Sequence, residues 1–419
     1  MLERLTHENK FKRFASEPDR FRLSEAETIK KQDYKEEKMK KLSILMVAVL
    51  VAALVFTACG TPTATESASA DTSATAAVSE EGTSESVSVV TLAMLPKYKG
   101  ENYFDACKQG AEEAIQELNA NGTVAELIYD GPPQDAATNQ KQVDILEGWI
   151  AQGVDVLIVS PNDPTAIAPT LKKAMEAGIK VETFDADAEA NARELFINQA
   201  SYDTIGKGLV KAVADSLTGK GYGPDKTANV AMLSADKTDA NQNAWIASIK
   251  TLLATDEYSW LKLQNEETDI YYPGADETKN QQDAATIISR MGPGANQIQA
   301  AIGLSSGATP ALGAAYASAA EKPDAMAVTM TGLATPNALK TYILDETNPM
   351  DTGVLWNCMD LGYLSVMAGY QMGTGVITPE ITAMTTTRLG ERAIDTDNKM
   401  ILLGDALIFD KSNVEQYNY

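Results

Sequence analysis

Two doubly wound parallel-sheet lobes of the α/β class are predicted for this 419-residue chain. Three observations predict them. From about residue 88 onward, short segments that are apolar along their whole length alternate with amphipathic helical patterns. Strands of that kind belong to parallel sheets covered by helices on both faces. The pattern runs once to about residue 184 and resumes from about residue 205, and the roughly 330 residues involved are enough for two cores.

Taken in order, residues 88–95 form the first apolar run. The helix after it carries Phe104, Cys107, Ala111, Ala114 and Leu118 at three- and four-residue steps, one apolar stripe. Residues 124–129 are a second strand, ended by the turn signal Asp130-Gly131-Pro132. Val143, Ile145, Leu146, Trp149 and Ile150 mark a second helix, closed by Gly153. Residues 154–159 are a continuous apolar strand, 166–177 a helix ended by Gly178, and 179–184 a further strand. The second run has a helix at 205–217, a strand at 230–233 and a helix after Asn241. It continues with a strand near 298–304, a helix from Ala308 and a strand at 326–330. Thr335-Pro336 opens another helix, with threonine as N-cap and proline at the first helical position.

The N-terminal part has a different character. Met39-Lys40-Lys41, the apolar residues 42–56 and then Thr57-Ala58-Cys59-Gly60 make a secretory signal (39–58) ending at a lipid-attachment cysteine, Cys59. The apolar run is too short for a span of about twenty residues, and no stop-transfer pattern comes after it. Phe56 stands where bacterial lipoprotein signals usually carry Leu. Residues 1–38 are polar and mixed in charge, unlike a targeting sequence, and are expected to be a mis-assigned leader in front of a true start at Met39. A cytoplasmic amphipathic tail is the alternative. Residues 59–87, rich in Ser, Thr and Ala, read as a flexible tether to the folded body. The protein is therefore expected on the outer face of the cell membrane, held by lipid.

Removing leader and signal leaves 23 Lys and Arg against 49 Asp and Glu, a net charge of −26. Such acidity repels nucleic acid and anionic lipid. The one histidine, His7, lies in the leader, so the mature chain has no Ser-His-Asp or Cys-His catalytic unit and no histidine metal site. No catalytic residue, metal or cofactor is expected. Cys107 and Cys358 remain beside Cys59, and free buried thiols are the simpler reading for them.

In doubly wound sheets ligands bind beyond the carboxyl ends of the strands, so the residues after each strand are the ones to inspect. Those ends supply Pro96-Lys97, Tyr103-Phe104, Ser160-Pro161-Asn162-Asp163, Asp185-Ala186-Asp187, Asp239-Ala240-Asn241-Gln242-Asn243, Leu304-Ser305-Ser306-Gly307 and Trp356-Asn357. Amides and carboxylates bind neighbouring hydroxyls in two-point fashion, and an aromatic face covers the C–H side of a sugar ring. The set reads as a sugar or polyol pocket between two lobes. Taken singly, an Asp or Asn after a strand is as often a turn former or helix cap.

Several stretches resemble the type I periplasmic binding proteins of ABC importers, in the branch with autoinducer-2-binding and rhamnose-binding proteins. They are Leu95-Pro96-Lys97, Tyr129-Asp130-Gly131-Pro132, Phe184-Asp185-Ala186-Asp187, Ile197-Asn198-Gln199, Asn241-Gln242-Asn243-Ala244-Trp245, Ala334-Thr335-Pro336-Asn337, Leu355-Trp356 and Ile401-Leu402-Leu403 on to Tyr419. The resemblance implies a three-segment hinge, with crossings expected near Asn198-Gln199, Trp356-Asn357 and Asp395. Lobe 1 is then 88–198 plus 357–394, and lobe 2 is 199–356 plus 395–419. It also implies that Lys97 and Asp185 contact ligand oxygens and that Gln242 belongs with them. Asn241 stands where the family has an aspartate, unless Asp239 supplies that carboxylate, and Leu304 and Ser306 replace a proline and an alanine. With Tyr103, Phe104 and Trp356 these make the expected ligand-binding set.

The resemblance implies a protein that captures autoinducer-2, or a closely related small sugar, between closing lobes and presents it to transporter membrane subunits; the signal adds the lipid anchor, and the tether points to a monomer. A rhamnose- or pentose-type nutrient receptor and a sensory receptor subunit are the alternatives. Lys97 with Asp185 could suggest acid–base chemistry, but a sugar-binding lysine is simpler. Export and the lack of a helix-turn-helix exclude a transcription regulator.

Overall fold

The computed structural model describes residues 89–419; the leader, the signal with Cys59 and the tether lie outside them. In the first lobe, β1 (Val90–Leu95), β2 (Ala125–Tyr129), β3 (Val156–Val159), β4 (Lys180–Phe184) and β5 (Leu195–Asn198) pair in parallel, in the order β2-β1-β3-β4-β5. The first three connections carry helices α1 (Asn102–Ala120), α2 (Asn139–Gln152) and α3 (Pro164–Glu176). The chain then crosses into α4 (Tyr202–Gly219), β6 (Ala228–Leu233), α5 (Ala240–Leu253), β7 (Leu261–Lys262) and β8 (Ile270–Tyr271). It continues through α6 (Glu277–Arg290), β9 (Ala300–Gly303), α7 (Ala308–Ser318), β10 (Thr329–Leu333), α8 (Pro336–Ile343) and β11 (Met350–Leu355). The second sheet has the parallel order β7-β6-β9-β10-β11, with β8 also beside β6.

From β11 the chain returns through α9 (Cys358–Gly373) to the first sheet, which β12 (Ala383–Thr386), β13 (Gly390–Asp395) and β14 (Met400–Leu402) extend. β14 lies parallel to β5, while β12, β13 and β14 pair antiparallel. Finally β15 (Leu407–Asp410) adds antiparallel to β11 at the edge of the second sheet. The third crossing therefore falls at 403–406, not near Asp395, and residues 395–402 belong with the first sheet. A three-residue strand such as β14 is too short to show a pattern in sequence. The strand expected at 326–330 begins at Thr329 instead: Met326 is 70 % exposed, and Ala327 N–H donates to Asp324 O in a turn.

Local chemistry sets the boundaries of the helices nearest the site. Thr138 caps α2, and Gly153 ends it at φ 71°, a left-handed conformation that glycine adopts without Cβ strain. Asp163 accepts from the N–H groups of Thr165 and Ala166, with Pro164 at the first turn of α3. Asp239 caps α5 through Asn241 N–H at 3.1 Å and Gln242 N–H at 3.4 Å.

Helix α9 has no amphipathic signature in the sequence. Most of its residues are buried, because it lies between α1 and the first sheet, so no polar face interrupts its apolar pattern. A Cβ on Gly110 would overlap the Met359 carbonyl, and one on Gly362 the Cys107 carbonyl, so these glycines let the two helix backbones touch. Cys107 and Cys358 are buried here as free thiols. Among the described residues no helix is long and apolar enough to cross a membrane.

Candidate functional site

Each sheet has one point where the strand order reverses: between β1 and β3 in the first, between β6 and β9 in the second. There the connections leave to opposite sides and open a crevice beyond the carboxyl ends. Lys97 follows β1 and Ser160 follows β3, whose last residues Leu95 and Val159 are paired. Asp239 follows β6 and the 304–306 loop follows β9, with Leu233 paired to Gly303. The two crevices face each other and share one cavity of about 760 Å³.

The first-lobe wall is held by its own side chains. Asp185 sits at φ 62°, a left-handed conformation that costs a non-glycine residue about 1 kcal/mol. Its carboxylate accepts from Tyr103 Oη at 2.8 Å and Ser160 Oγ at 2.7 Å. Gln142, fully buried, donates to the carbonyls of Pro96 (3.0 Å) and Ser160 (2.9 Å) and accepts from Asn162 N–H (2.9 Å). Asn162 in turn donates to the Lys97 carbonyl. The loops after β1 and β3 are thereby tied together.

Across the cleft, the Lys97 ammonium meets the Asp239 carboxylate at 2.6 Å, both residues 7 % exposed. Asn241 Nδ2 donates to the Asp185 carbonyl at 2.9 Å. Gln242 Nε2 donates to the Leu304 carbonyl at 3.3 Å, which ties the start of α5 to the loop after β9. Trp356 follows β11 and bridges the lobes: its Nε1 donates to Tyr103 Oη at 3.0 Å, its ring meets Tyr103 edge-on at 5.8 Å, and Trp245 lies 6.0 Å away on the second lobe.

Electrostatics reflect this packing. Burial alone would lower the Lys97 value, but Asp239 and Asp185 outweigh it and hold the ammonium charged. Burial raises Asp185, against the pull of Lys97 and the hydrogen bonds from Ser160 and Tyr103. Burial also pushes Glu101 up to about 7; a hydrogen bond from Tyr98 opposes this, Asp185 adds to it, and Lys97 and Ser306 oppose it more weakly.

All nine residues expected from sequence border this one cavity: Lys97, Tyr103, Phe104, Asp185, Asn241, Gln242, Leu304, Ser306 and Trp356. Leu304 is fully buried. Asn241 reaches a backbone carbonyl, and the carboxylate facing Lys97 comes from Asp239, the alternative source named for it. Glu101, Tyr98, Trp245, Asn162 and Asn280 also border the cavity, outside the set expected from sequence. Glu101 stands directly before α1 and reads as an ordinary helix-start residue; only the approach of Ser306 from the other lobe distinguishes it. Among the described residues no three His, Cys, Asp or Glu side chains gather to hold a metal ion.

Comparison with known proteins agrees with this architecture. The periplasmic binding protein domain family matches residues 92–375. A D-ribose/D-allose-binding protein of Pseudomonas aeruginosa is 34% identical over 94 residues, 22% of this chain; that match spans only 28% of the relative's length. Among solved structures, an ABC transporter solute-binding protein from Clostridium phytofermentas with bound L-rhamnose is 26% identical, with a TM-score of 0.67 over 79% of this chain and 98% of that one. LsrB from Clostridium saccharobutylicum, in complex with AI-2, is 24% identical, with a TM-score of 0.70 over 79% of this chain and 100% of the other, a likeness of fold.

Proposed function

We propose that this chain, which belongs to the periplasmic binding protein family, is the solute-binding protein of an ABC importer and captures a small sugar or polyol between two closing lobes. One observation carries the reading: the crevices at both switch points converge on a single cavity lined with hydroxyls, amides, carboxylates and aromatic rings. That lining suits hydroxyl-rich ligands. In the finer reading the ligand is autoinducer-2, supported by the grouping of Lys97, Asp185 and Gln242. A nutrient sugar of the rhamnose or pentose type is the second reading. The extra polar groups Glu101 and Ser306 favour it, since they offer partners to further hydroxyls.

Ligand that touches both walls stabilises the closed form by its differential affinity for that form. Membrane subunits of the transporter would recognise the closed shape, and no chemistry on the ligand is involved. The lipid on Cys59 would hold a monomer at the outer membrane face, with residues 59–87 as tether.

Titration calorimetry of the full chain with autoinducer-2, L-rhamnose and D-ribose tests the reading. A dissociation constant in the micromolar range or tighter for at least one of them, with the ligand recovered unchanged, is expected. Failure of all three and of a wider panel of hexoses, amino sugars and polyols to bind, or turnover of any, would contradict it.

A further inference from the structure

The cavity has one cation on its walls and five carboxylates. Lys97 stands against Glu101, Asp185, Asp236, Asp239 and Glu277 among the described residues. Lys97 is already engaged by Asp239 at 2.6 Å, and the neighbouring Lys99 is taken by Asp130 and does not border the cavity. Glu101 thus has no cation of its own, although it lies between the lobes with Tyr98 beside it and Ser306 opposite. A carboxylate half-buried in the cleft without a cation is disfavoured. Its raised value, with burial as the leading cause, agrees with that deficit.

A second, independent observation lies on the second-lobe wall. Asn280, 3 % exposed, spends its Nδ2 on the carbonyls of Gly274 (3.1 Å) and Asp276 (3.0 Å). The amide orientation is therefore locked, and Oδ1 is left as a buried acceptor with no partner. This amide borders the cavity beside Gly307, the residue after Ser306; a Cβ on Gly307 would stand 3.6 Å from it. Acceptors are thus in excess at this end of the cleft, and the group that satisfies them must bring donors and positive charge. An ammonium has three donors and no acceptor.

We propose that the ligand carries a positively charged amino group seated at the Glu101 end of the cleft, so that its class is an amino-substituted sugar or polyol. This rests on the sugar reading above and selects its nutrient branch over autoinducer-2. The hydroxyl-bearing part of such a ligand sits against Lys97, Asp185 and Gln242. Its ammonium reaches Glu101 in a charge-assisted hydrogen bond, which a neutral hydroxyl replaces with a weaker one.

The test is titration of the full chain, near neutral pH, with matched pairs: D-glucosamine and D-glucose, D-mannosamine and D-mannose, and the amino and parent forms of L-rhamnose. The N-acetylated forms serve as uncharged controls. The amino member is expected to bind at least about tenfold tighter than its parent and than its N-acetyl form. In Glu101→Gln that ratio is expected to fall to within about threefold of one, and in Glu277→Gln to change less. Equal or tighter binding of the neutral members, or a ratio that Glu101→Gln leaves intact, would overturn the inference while the sugar reading stands. If no member of any pair binds, the sugar reading falls and this inference with it.

Discussion

The two walls of the cleft are built differently. On the first lobe, Asp185 is held by Tyr103 and Ser160, and Gln142 ties the loops after β1 and β3 through three hydrogen bonds. On the second lobe, Trp245 Nε1 and Asn280 Oδ1 are buried at the cavity with no partner, while Asn241 reaches across the cleft. Glu101 apart, the first wall is thus a finished platform. The second is completed only by what closes against it. The contrast implies an order of events in which ligand settles on the first lobe and the second lobe then folds over it.

The largest expected effect tests an exception to that contrast. Glu182 on β4, within the first lobe, is fully buried, and both carboxylate oxygens lack a partner. Burial holds its value well above the usual carboxyl range. Because the folded value is raised, the unfolded chain ionises first. Stability should then fall as pH rises past the ordinary glutamate value of about 4.3, by up to about 1.4 kcal/mol per pH unit until the folded value is reached. Urea unfolding of the wild type should show this decline from acidic to mildly alkaline pH, and Glu182→Gln should flatten it; parallel profiles would remove Glu182 as its source.

Next in size, Asp185→Ala strands Tyr103 and Ser160 and removes one of the two carboxylates near Lys97, and should weaken ligand by about 2 kcal/mol or more, roughly thirtyfold in calorimetry. An unchanged constant would take Asp185 out of the site and break the account of the first wall. Asp239→Asn should cost less, about tenfold, because Asp185 still faces Lys97. Small-angle scattering of the ligand-free variant should show a more extended chain than wild type. Equal dimensions would mean that the cross-cleft pair does not hold the lobes together. The smallest effect sharpens the contrast further. Trp245→Phe removes an N–H that nothing satisfies, so stability should change by no more than about 0.5 kcal/mol while affinity drops a few fold. A large stability loss would mean that Trp245 has a structural partner after all.

The alternation of apolar strands and striped helices is legible in the sequence, and with it both lobes and the nine expected residues around the cavity. Features without a periodic signature are not. Helix α9 is apolar nearly all round because it is sandwiched between α1 and the first sheet. Strand β14 is three residues long, so sequence alone puts the last crossing too early. Asn241 and Asp239 lie two residues apart, too close for sequence to choose between them; in the fold Asp239 is the N-cap of α5 and its carboxylate turns to Lys97. Glu101 acquires meaning only from a residue about two hundred positions away on the other lobe, which no local pattern conveys.

The central claim is that one small polyhydroxylated molecule is held between the two walls. Mass spectrometry of ligand released by denaturing the purified full chain, prepared from cells able and unable to make autoinducer-2, addresses it directly. A single small sugar-like compound, lost in Asp185→Ala, is the result this account expects. Its dependence on the autoinducer-2 pathway, or the presence of nitrogen in its composition, separates the readings of its class. Recovery of a peptide, an amino acid or an anionic metabolite in its place would contradict the account.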